Sequence, residues 1–134
     1  MQQNMKTVFL IDDDCDDREI FEESLYSLNL NLNFVDAKNG AEALKKLQQP
    51  DFKKPDLIFL DLNMPIMDGR QFLVEVKKNE KYSDIPVIIY STSSNDVDKK
   101  FAEEHKAAMF MTKQYSLDLL QTELKETLET FLQL

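Results

Sequence analysis

The chain has 134 residues, and its 16 basic and 25 acidic residues give a formal net charge of −9 at pH 7. Its 43% of hydrophobic residues excludes a disordered acidic tail, and its single cysteine excludes an internal disulfide framework. The negative charge argues against nucleic acid as a direct ligand, and the apolar runs are too short to span a membrane. We therefore expect one domain over residues 1–134, without a separate output domain, in the cytoplasm.

Short apolar runs predict strands, and amphipathic stretches between them predict helices. In chain order, the strands lie at residues 8–11, 32–35, 57–60, 87–90 and 107–111. Each strand is followed by apolar residues with helical spacing: Phe21, Leu25 and Leu28; Ala43, Leu44 and Leu47; Phe72, Leu73 and Val76; Val97 and Phe101; and Leu117, Leu120, Leu124, Leu128 and Phe131. Ser116 is placed to cap the last helix.

The elements differ in how clearly the sequence defines them. Asn33 interrupts the second strand, which suits an edge strand better than a central one. The fifth run, at residues 107–111, contains alanine and methionine and would suit a helix equally well. Val97 and Phe101 stand in a polar stretch, which makes the fourth helix the least defined of the five.

Five repeats of strand and helix predict an α/β fold. Central strands that are continuously apolar and joined by helices indicate a parallel sheet covered on both faces. Right-handed connections then lead to a flavodoxin-like, doubly wound sheet of five parallel strands in the order 2-1-3-4-5, with five helices.

Polar side chains follow the four central strands where each strand ends. They are Asp12 and Asp13, then Asp61, then Ser91 and Thr92, and finally Lys113. Open parallel sheets bind ligands at the carboxyl edge of their strands, so these groups are expected to meet there. Strand register favours Ser91 over Thr92 as the hydroxyl that faces the site.

This set of side chains suits phosphoryl chemistry with a divalent cation. Mg²⁺ prefers oxygen ligands, so Asp13 and Asp61 would bind it directly, and Asp12 directly or through a water molecule. Lys113 and Ser91 would hold a phosphoryl oxygen, although Lys113 could also pair with Asp61 itself. A carboxylate can attack phosphorus, and Asp61, alone at the end of the middle strand, is the natural nucleophile.

Four segments resemble a known family. They read FLIDDD at 9–14, LIFLDLNMPIMDG at 57–69, PVIIYST at 86–92 and FMTK at 110–113. On these residues the chain resembles a receiver domain of the two-component response-regulator family, of the single-domain chemotaxis-regulator type. The segments are distributed through nearly the whole chain.

The resemblance implies roles for the acidic residues. Asp61 would accept a phosphoryl group from a phosphohistidine on a histidine kinase or a histidine phosphotransfer protein. Asp12 and Asp13 would hold Mg²⁺, or Mn²⁺ in its place, together with Asp61 and the backbone carbonyl of Asn63. Lys113 would bind the phosphoryl group.

The resemblance also implies how the signal leaves the site. Ser91 and Phe110 would couple phosphorylation to the surface formed by the fourth helix, the fifth strand and the fifth helix, where a downstream protein binds. The chain would be a monomer or a weak dimer through that surface. From their positions two residues beyond Asp61 and Ser91, Asn63 and Ser93 are expected to orient or obstruct the water that hydrolyses the phosphoryl group.

Two departures from the family pattern affect the output surface. Gln114 follows Lys113 where the family commonly has proline, often after a cis peptide bond. A cis bond without proline costs about 3 kcal/mol, so we predict a trans bond. Residues 104–108 also lack the family's usual glycine, so the turn before the fifth strand is expected to avoid a conformation that only glycine adopts.

Other classes of function fit less well. A receiver-like interaction module that is never phosphorylated is the main alternative. A haloacid-dehalogenase-type phosphohydrolase needs a second acid two residues after the nucleophile, where Asn63 stands. Because Gly40 and Gly69 are the only glycines, no dinucleotide-binding motif is present. We therefore expect a signalling protein without nucleic-acid or membrane partners, rather than an enzyme that turns over a metabolite.

Overall fold

Strands and helices alternate along the whole of the computed structural model, which describes residues 5–64, 67–92, 95–113 and 116–133. Within these ranges the elements are β1 (Lys6–Ile11), α1 (Cys15–Ser27), β2 (Leu32–Ala37), α2 (Gly40–Leu47), β3 (Leu57–Leu60), α3 (Gly69–Lys78), β4 (Val87–Ser91), α4 (Asp96–Glu104), β5 (Met109–Thr112) and α5 (Leu117–Leu132). No helix in these ranges is long and apolar enough to cross a membrane.

The strands form a parallel sheet in the order β2-β1-β3-β4-β5, which confirms the predicted fold. β1, β3 and β4 lie inside the sheet and are almost wholly buried, because helices cover both of their faces. β2 lies at the edge, as Asn33 indicated, and its middle residues are only half-buried. The chain reverses its direction of winding between β1 and β3, so a crevice opens beyond the ends of these two strands.

Alternate residues of each central strand enter opposite cores. In β1, Phe9 and Ile11 pack with α2, α3 and α4, whereas Val8 and Leu10 pack with α1 and α5. Most of the predicted helix faces are buried in these two cores. The exceptions are at helix starts: Val97 in α4 is 76% exposed and Leu117 in α5 is 56% exposed.

The start of β5 corrects the predicted bounds of this strand. The strand begins at Met109, two residues later than predicted, because the end of α4 uses the preceding residues. The backbone N–H of Lys106 donates to Glu103 O at 3.1 Å, and that of Ala107 donates to Ala102 O at 2.9 Å. This pair of hydrogen bonds at the end of a helix requires a residue with a left-handed backbone conformation, and Lys106 has φ 63°. Left-handed backbone favours glycine but is open to other residues, so the turn avoids a conformation that only glycine adopts, as expected.

We predict that Lys106→Gly stabilises the protein by about 1 kcal/mol, because glycine adopts the left-handed conformation without the steric cost borne by lysine. Urea denaturation of both proteins measures this difference in the free energy of unfolding. Burial lowers the pKa of Lys77, and the nearby charge of Lys106 lowers it further. Substitution of Lys106 therefore also removes this repulsion between the two ammonium groups. Lys106→Ala is the control because it removes the charge but keeps the side-chain β-carbon, and an equal gain in both variants would contradict the backbone explanation.

Two expectations fall outside the described residues. The trans bond predicted after Lys113 involves Gln114, and the proposed influence on hydrolysis involves Ser93. Both stay predictions from the sequence.

Candidate functional site

Backbone hydrogen bonds place three polar residues at the carboxyl edge of the sheet. The N–H of Asp12 donates to Ala37 O at 3.0 Å, and the N–H of Asp61 donates to Ile11 O at 3.0 Å. The N–H of Lys113 donates to Ser91 O at 2.8 Å. Each residue therefore continues the strand ladder one step beyond its own strand, and its side chain is directed by the sheet.

The carboxylates of Asp12, Asp13 and Asp61 meet at this edge. One oxygen atom from each lies within 4.8 Å of the other two. Asp12 and Asp61 are buried, and Asp13 is exposed. Asp12 Oδ1 accepts a hydrogen bond from the N–H of Asp14 at 3.0 Å, and Asp61 Oδ1 accepts one from the N–H of Asn63 at 3.0 Å. Backbone amides therefore orient both buried carboxylates.

Lys113 supplies the positive charge of the site. Its Nζ lies 2.7 Å from Asp12 Oδ2 and 3.4 Å from Asp61 Oδ2. A third carboxylate, that of Asp17, lies 2.7 Å from the same nitrogen. The sequence did not single out Asp17 as a site residue, because the direction of α1 relative to the sheet is not written in any local pattern.

Burial and charge compete at these groups. Burial raises the pKa of Asp12 to about 6, although the Lys113 ammonium and the Asp14 amide partly oppose it. Burial also raises the pKa of Asp61, again opposed by Lys113. Burial disfavours the charged form of Lys113, but contacts with the carboxylates of Asp12 and Asp17 outweigh burial and raise its pKa. One ammonium is therefore shared among several carboxylates.

The site has the features of a metal-binding site. Asp12 Oδ2 is buried and accepts no well-aligned hydrogen bond from the described residues, despite its ion pair with Lys113. Hard divalent cations prefer oxygen ligands of this kind. The cluster of Asp12, Asp13 and Asp61 could therefore bind a metal ion, and a cation there would relieve the repulsion among these charges.

The remaining predicted site residues lie around this cluster. Ser91 is fully buried at the end of β4, and Thr92 is exposed. Asn63 is exposed beside Asp61. Phe110 is half-buried in β5 and packs against the core beneath α4.

The acidic run after β1 is ordered by a helix cap that the sequence did not single out. Asp14 Oδ1 accepts hydrogen bonds from the N–H of Asp16 at 2.9 Å and of Asp17 at 3.2 Å. Aspartate before a helix is a known capping signal. Five aspartates within residues 12–17 offered several candidates for it, so only the structure identifies Asp14 as the cap.

Gly69 allows α3 to begin close to Asp61. Its N–H donates to Leu62 O at 3.0 Å, and a β-carbon on Gly69 would lie 2.2 Å from Asp61 O and 2.7 Å from Leu62 Cα. Both atoms belong to the backbone and cannot move aside cheaply. The glycine is therefore needed for space.

We predict that Gly69→Ala destabilises the protein by about 2 kcal/mol, because the new methyl group presses on the backbone of Asp61. It should also shift the backbone NMR signals of Asp61 and Leu62. Chemical denaturation and two-dimensional NMR measure the two effects. Gln71→Ala, at an exposed position of the same helix, is the control and should do neither; unchanged NMR signals in Gly69→Ala would contradict the close contact.

An ion-pair network, also missed from the sequence, links the loop after Asp61 to α4. Arg70 Nη2 lies 2.5 Å from Asp98 Oδ1, and Arg70 Nη1 lies 3.1 Å from Asp68 Oδ2. Asp98 is buried, and its hydrogen bond to Arg70 raises the pKa of the guanidinium. Arg70 Nη1 also donates to Leu62 O at 3.4 Å. The start of α4 is therefore tied to the residue that follows Asp61.

The raised pKa of Asp12 predicts a pH dependence of stability in metal-free buffer. The folded state holds this proton up to about pH 6, above the ordinary value of 3.8. The contribution of this carboxyl to stability is therefore greatest at low pH and is lost as the pH rises through about 6.

Between about pH 5 and about pH 8, the wild-type protein should lose about 1 kcal/mol relative to Asp12→Asn, which cannot titrate at this position. Urea denaturation of both proteins in the presence of a chelator measures the difference. Parallel pH profiles for the two proteins would contradict the burial of an ionisable carboxyl.

Comparisons with known proteins match most of this chain. The model of a family described as the response regulator receiver domain matches residues 8–125. Response regulator Rcp1 of Synechocystis is 32% identical over 116 residues, which are 84% of this chain and 79% of Rcp1. Sensor histidine kinase CheAY of Helicobacter pylori is 35% identical over 122 residues, but the chain spans only 15% of the length of CheAY.

Solved structures show the same fold. The phosphorylated cyanobacterial phytochrome response regulator RcpA superimposes with a TM-score of 0.88 at 32% identity, covering 96% of this chain and 95% of RcpA. The Mn²⁺-bound form of Rcp1 superimposes with a TM-score of 0.81 at 31% identity, covering 94% of this chain and 93% of Rcp1.

Proposed function

Because the chain belongs to the response regulator receiver domain family, we propose that it is a phosphoacceptor whose Asp61 takes a phosphoryl group from a phosphohistidine. The observation that carries this proposal is the arrangement around Asp61. Its carboxylate lies within 4.8 Å of the Asp12 and Asp13 oxygens and 3.4 Å from the Lys113 ammonium. The donor would be a histidine kinase or a histidine phosphotransfer protein.

In the proposed reaction a carboxylate oxygen of Asp61 attacks phosphorus, and the bond from phosphorus to the histidine nitrogen breaks. The imidazole takes up a proton as it leaves. Little covalent chemistry is required of the protein, so its main contributions are alignment and neutralisation of charge. The amide of Asn63 orients Asp61, and Lys113 is close enough to stabilise a phosphoryl oxygen after a small movement of its flexible side chain.

We propose Mg²⁺ as the cofactor, with Mn²⁺ able to replace it. Asp12, Asp13, Asp61 and the backbone carbonyl of Asn63 would hold the ion, which would neutralise charge on the transferring group. The buried Asp12 Oδ2, which accepts no well-aligned hydrogen bond from the described residues beside its ion pair with Lys113, supports this assignment, as does the Mn²⁺-bound form of the related Rcp1. Asp13, the exposed ligand, would leave the ion accessible from solvent.

The switch is proposed to run from Ser91 through Phe110 to the surface of α4, β5 and α5. Ser91 is buried at the carboxyl end of β4, beside the strand that carries Phe110. An open cavity of about 380 Å³ between α4 and β5 borders Phe110 and is lined also by Ala102 and Ala107. This space would allow the ring to change rotamer, and a population shift between two arrangements would alter partner binding.

We propose that the protein acts in the cytoplasm by binding a downstream protein and that it turns over no metabolite. The exposed position of Asn63 next to Asp61 supports a role in the lifetime of the phosphoryl group. A receiver-like interaction module that is never phosphorylated remains the competing proposal, and phosphorylation itself distinguishes the two.

We predict that incubation with acetyl phosphate and Mg²⁺ adds one base-labile phosphoryl group, because this donor is small enough to reach the site without a kinase. Intact-protein mass spectrometry detects the adduct. It should be absent from Asp61→Asn and present in Asp51→Asn, which removes an exposed carboxylate in the segment before β3.

An unmodified wild-type protein would favour the interaction module. Omission of Mg²⁺ or addition of a chelator should also abolish the adduct. Steady release of phosphate from ordinary phosphomonoesters would instead indicate a phosphohydrolase.

A further inference from the structure

The ammonium of Lys113 lies on the β1 side of the site, away from the residue that it is expected to serve. Its nitrogen is 2.7 Å from Asp12 Oδ2 and 2.7 Å from Asp17 Oδ2, but 3.4 Å from Asp61 Oδ2. The side chain of Lys113 is only 10% exposed, so these contacts are poorly screened by water. Asp17 therefore holds part of the charge that a phosphoryl group on Asp61 would need.

The position of Asp17 is set by the first turn of α1. The Asp14 carboxylate caps this turn through the N–H of Asp17. The next residue, Arg18, donates to the backbone carbonyl of Asp12 at 2.7 Å and forms an ion pair with Asp36 at 3.2 Å. Because the helix start is attached to both β1 and β2, the Asp17 carboxylate is held within reach of Lys113.

Asp17 differs from Asp12 in how easily it can release the ammonium. The Asp17 side chain is 32% exposed, whereas that of Asp12 is fully buried. Asp17 and Lys113 both line an open cavity of about 290 Å³, together with Tyr90 and Thr92. Asp17 can therefore turn toward water when Lys113 moves to Asp61, whereas Asp12 cannot.

We propose that Asp17 is a positioning residue that competes with the phosphoryl group for the Lys113 ammonium. This inference rests on the proposed phosphoacceptor function and adds a control on the same site. In the unphosphorylated protein Asp17 draws Lys113 toward α1. Phosphorylation of Asp61 transfers the ammonium to the phosphoryl oxygens and releases Asp17 to solvent. The Asp17 contact therefore opposes phosphorylation, because it keeps part of the Lys113 charge away from the phosphoryl group on Asp61.

The test compares Asp17→Asn with Asp16→Asn. Both changes remove one negative charge from the first turn of α1, but Asp16 is exposed and, among the contacts of the described residues, its carboxylate makes none with Lys113. The rate of labelling by acetyl phosphate and Mg²⁺ should rise about fivefold in Asp17→Asn, the effect of one partly exposed ion pair. Asp16→Asn should label at the wild-type rate.

Two further measurements separate positioning from a merely structural role. The affinity for beryllofluoride, a phosphoryl analogue, should increase by a similar factor in Asp17→Asn and stay unchanged in Asp16→Asn. Asp17→Glu, which keeps a carboxylate able to reach Lys113, should restore values near those of the wild type. Loss of a helix-start charge alone would affect Asp16→Asn and Asp17→Asn alike.

Equal labelling rates and equal analogue affinities in Asp16→Asn and Asp17→Asn would overturn the inference. Slower labelling in Asp17→Asn would overturn it as well, because Asp17 would then assist Lys113. Failure of the proposed function looks different: the wild-type protein itself would not be labelled, and the inference would fall with it.

Discussion

The structure depends on the electrostatic balance around Lys113. Three aspartates, Asp12, Asp17 and Asp61, share this one ammonium at the end of a buried sheet. Burial disfavours charge on Asp12, Asp61 and Lys113, so the charges of these groups depend on one another. The same imbalance leaves negative charge on the cluster of Asp12, Asp13 and Asp61 that a cation could neutralise. An excess of negative charge that the chain neutralises only in part is what suits this edge to a divalent cation.

Packing contacts connect this cluster to helices α1, α3 and α4. Gly69 lets α3 approach the backbone of Asp61, and Arg70 joins the same loop to the buried Asp98 of α4. On the other side, Arg18 attaches α1 to the backbone of Asp12. Close-packed interiors resist continuous deformation and favour discrete arrangements. The helices that these contacts hold are therefore the elements most directly connected to the position of the cluster.

Much of this could be predicted because it follows local rules. Continuous apolar runs identified the buried strands, and Asn33 identified β2 as an edge strand. Residues that directly follow such strands must meet at one edge, which brought Asp12, Asp61 and Lys113 together. The end of α4 was not predictable in this way. Its hydrogen bonds require Lys106 in a left-handed conformation, and without a glycine no residue of this stretch signals where the helix ends.

The amino-acid sequence alone determined the order of elements, the sheet topology and the cluster of acids with Lys113, because strand periodicity and strand ends are local properties. Only the tertiary structure decided which aspartates share the ammonium and which one caps α1. Asp14, Asp16 and Asp17 are chemically identical neighbours, and their roles separate only when the axis of α1 is fixed against the sheet. The pair of Arg70 and Asp98, 28 residues apart, depends likewise on how two helices pack. Such contacts are set by the relative placement of elements, which no local pattern records.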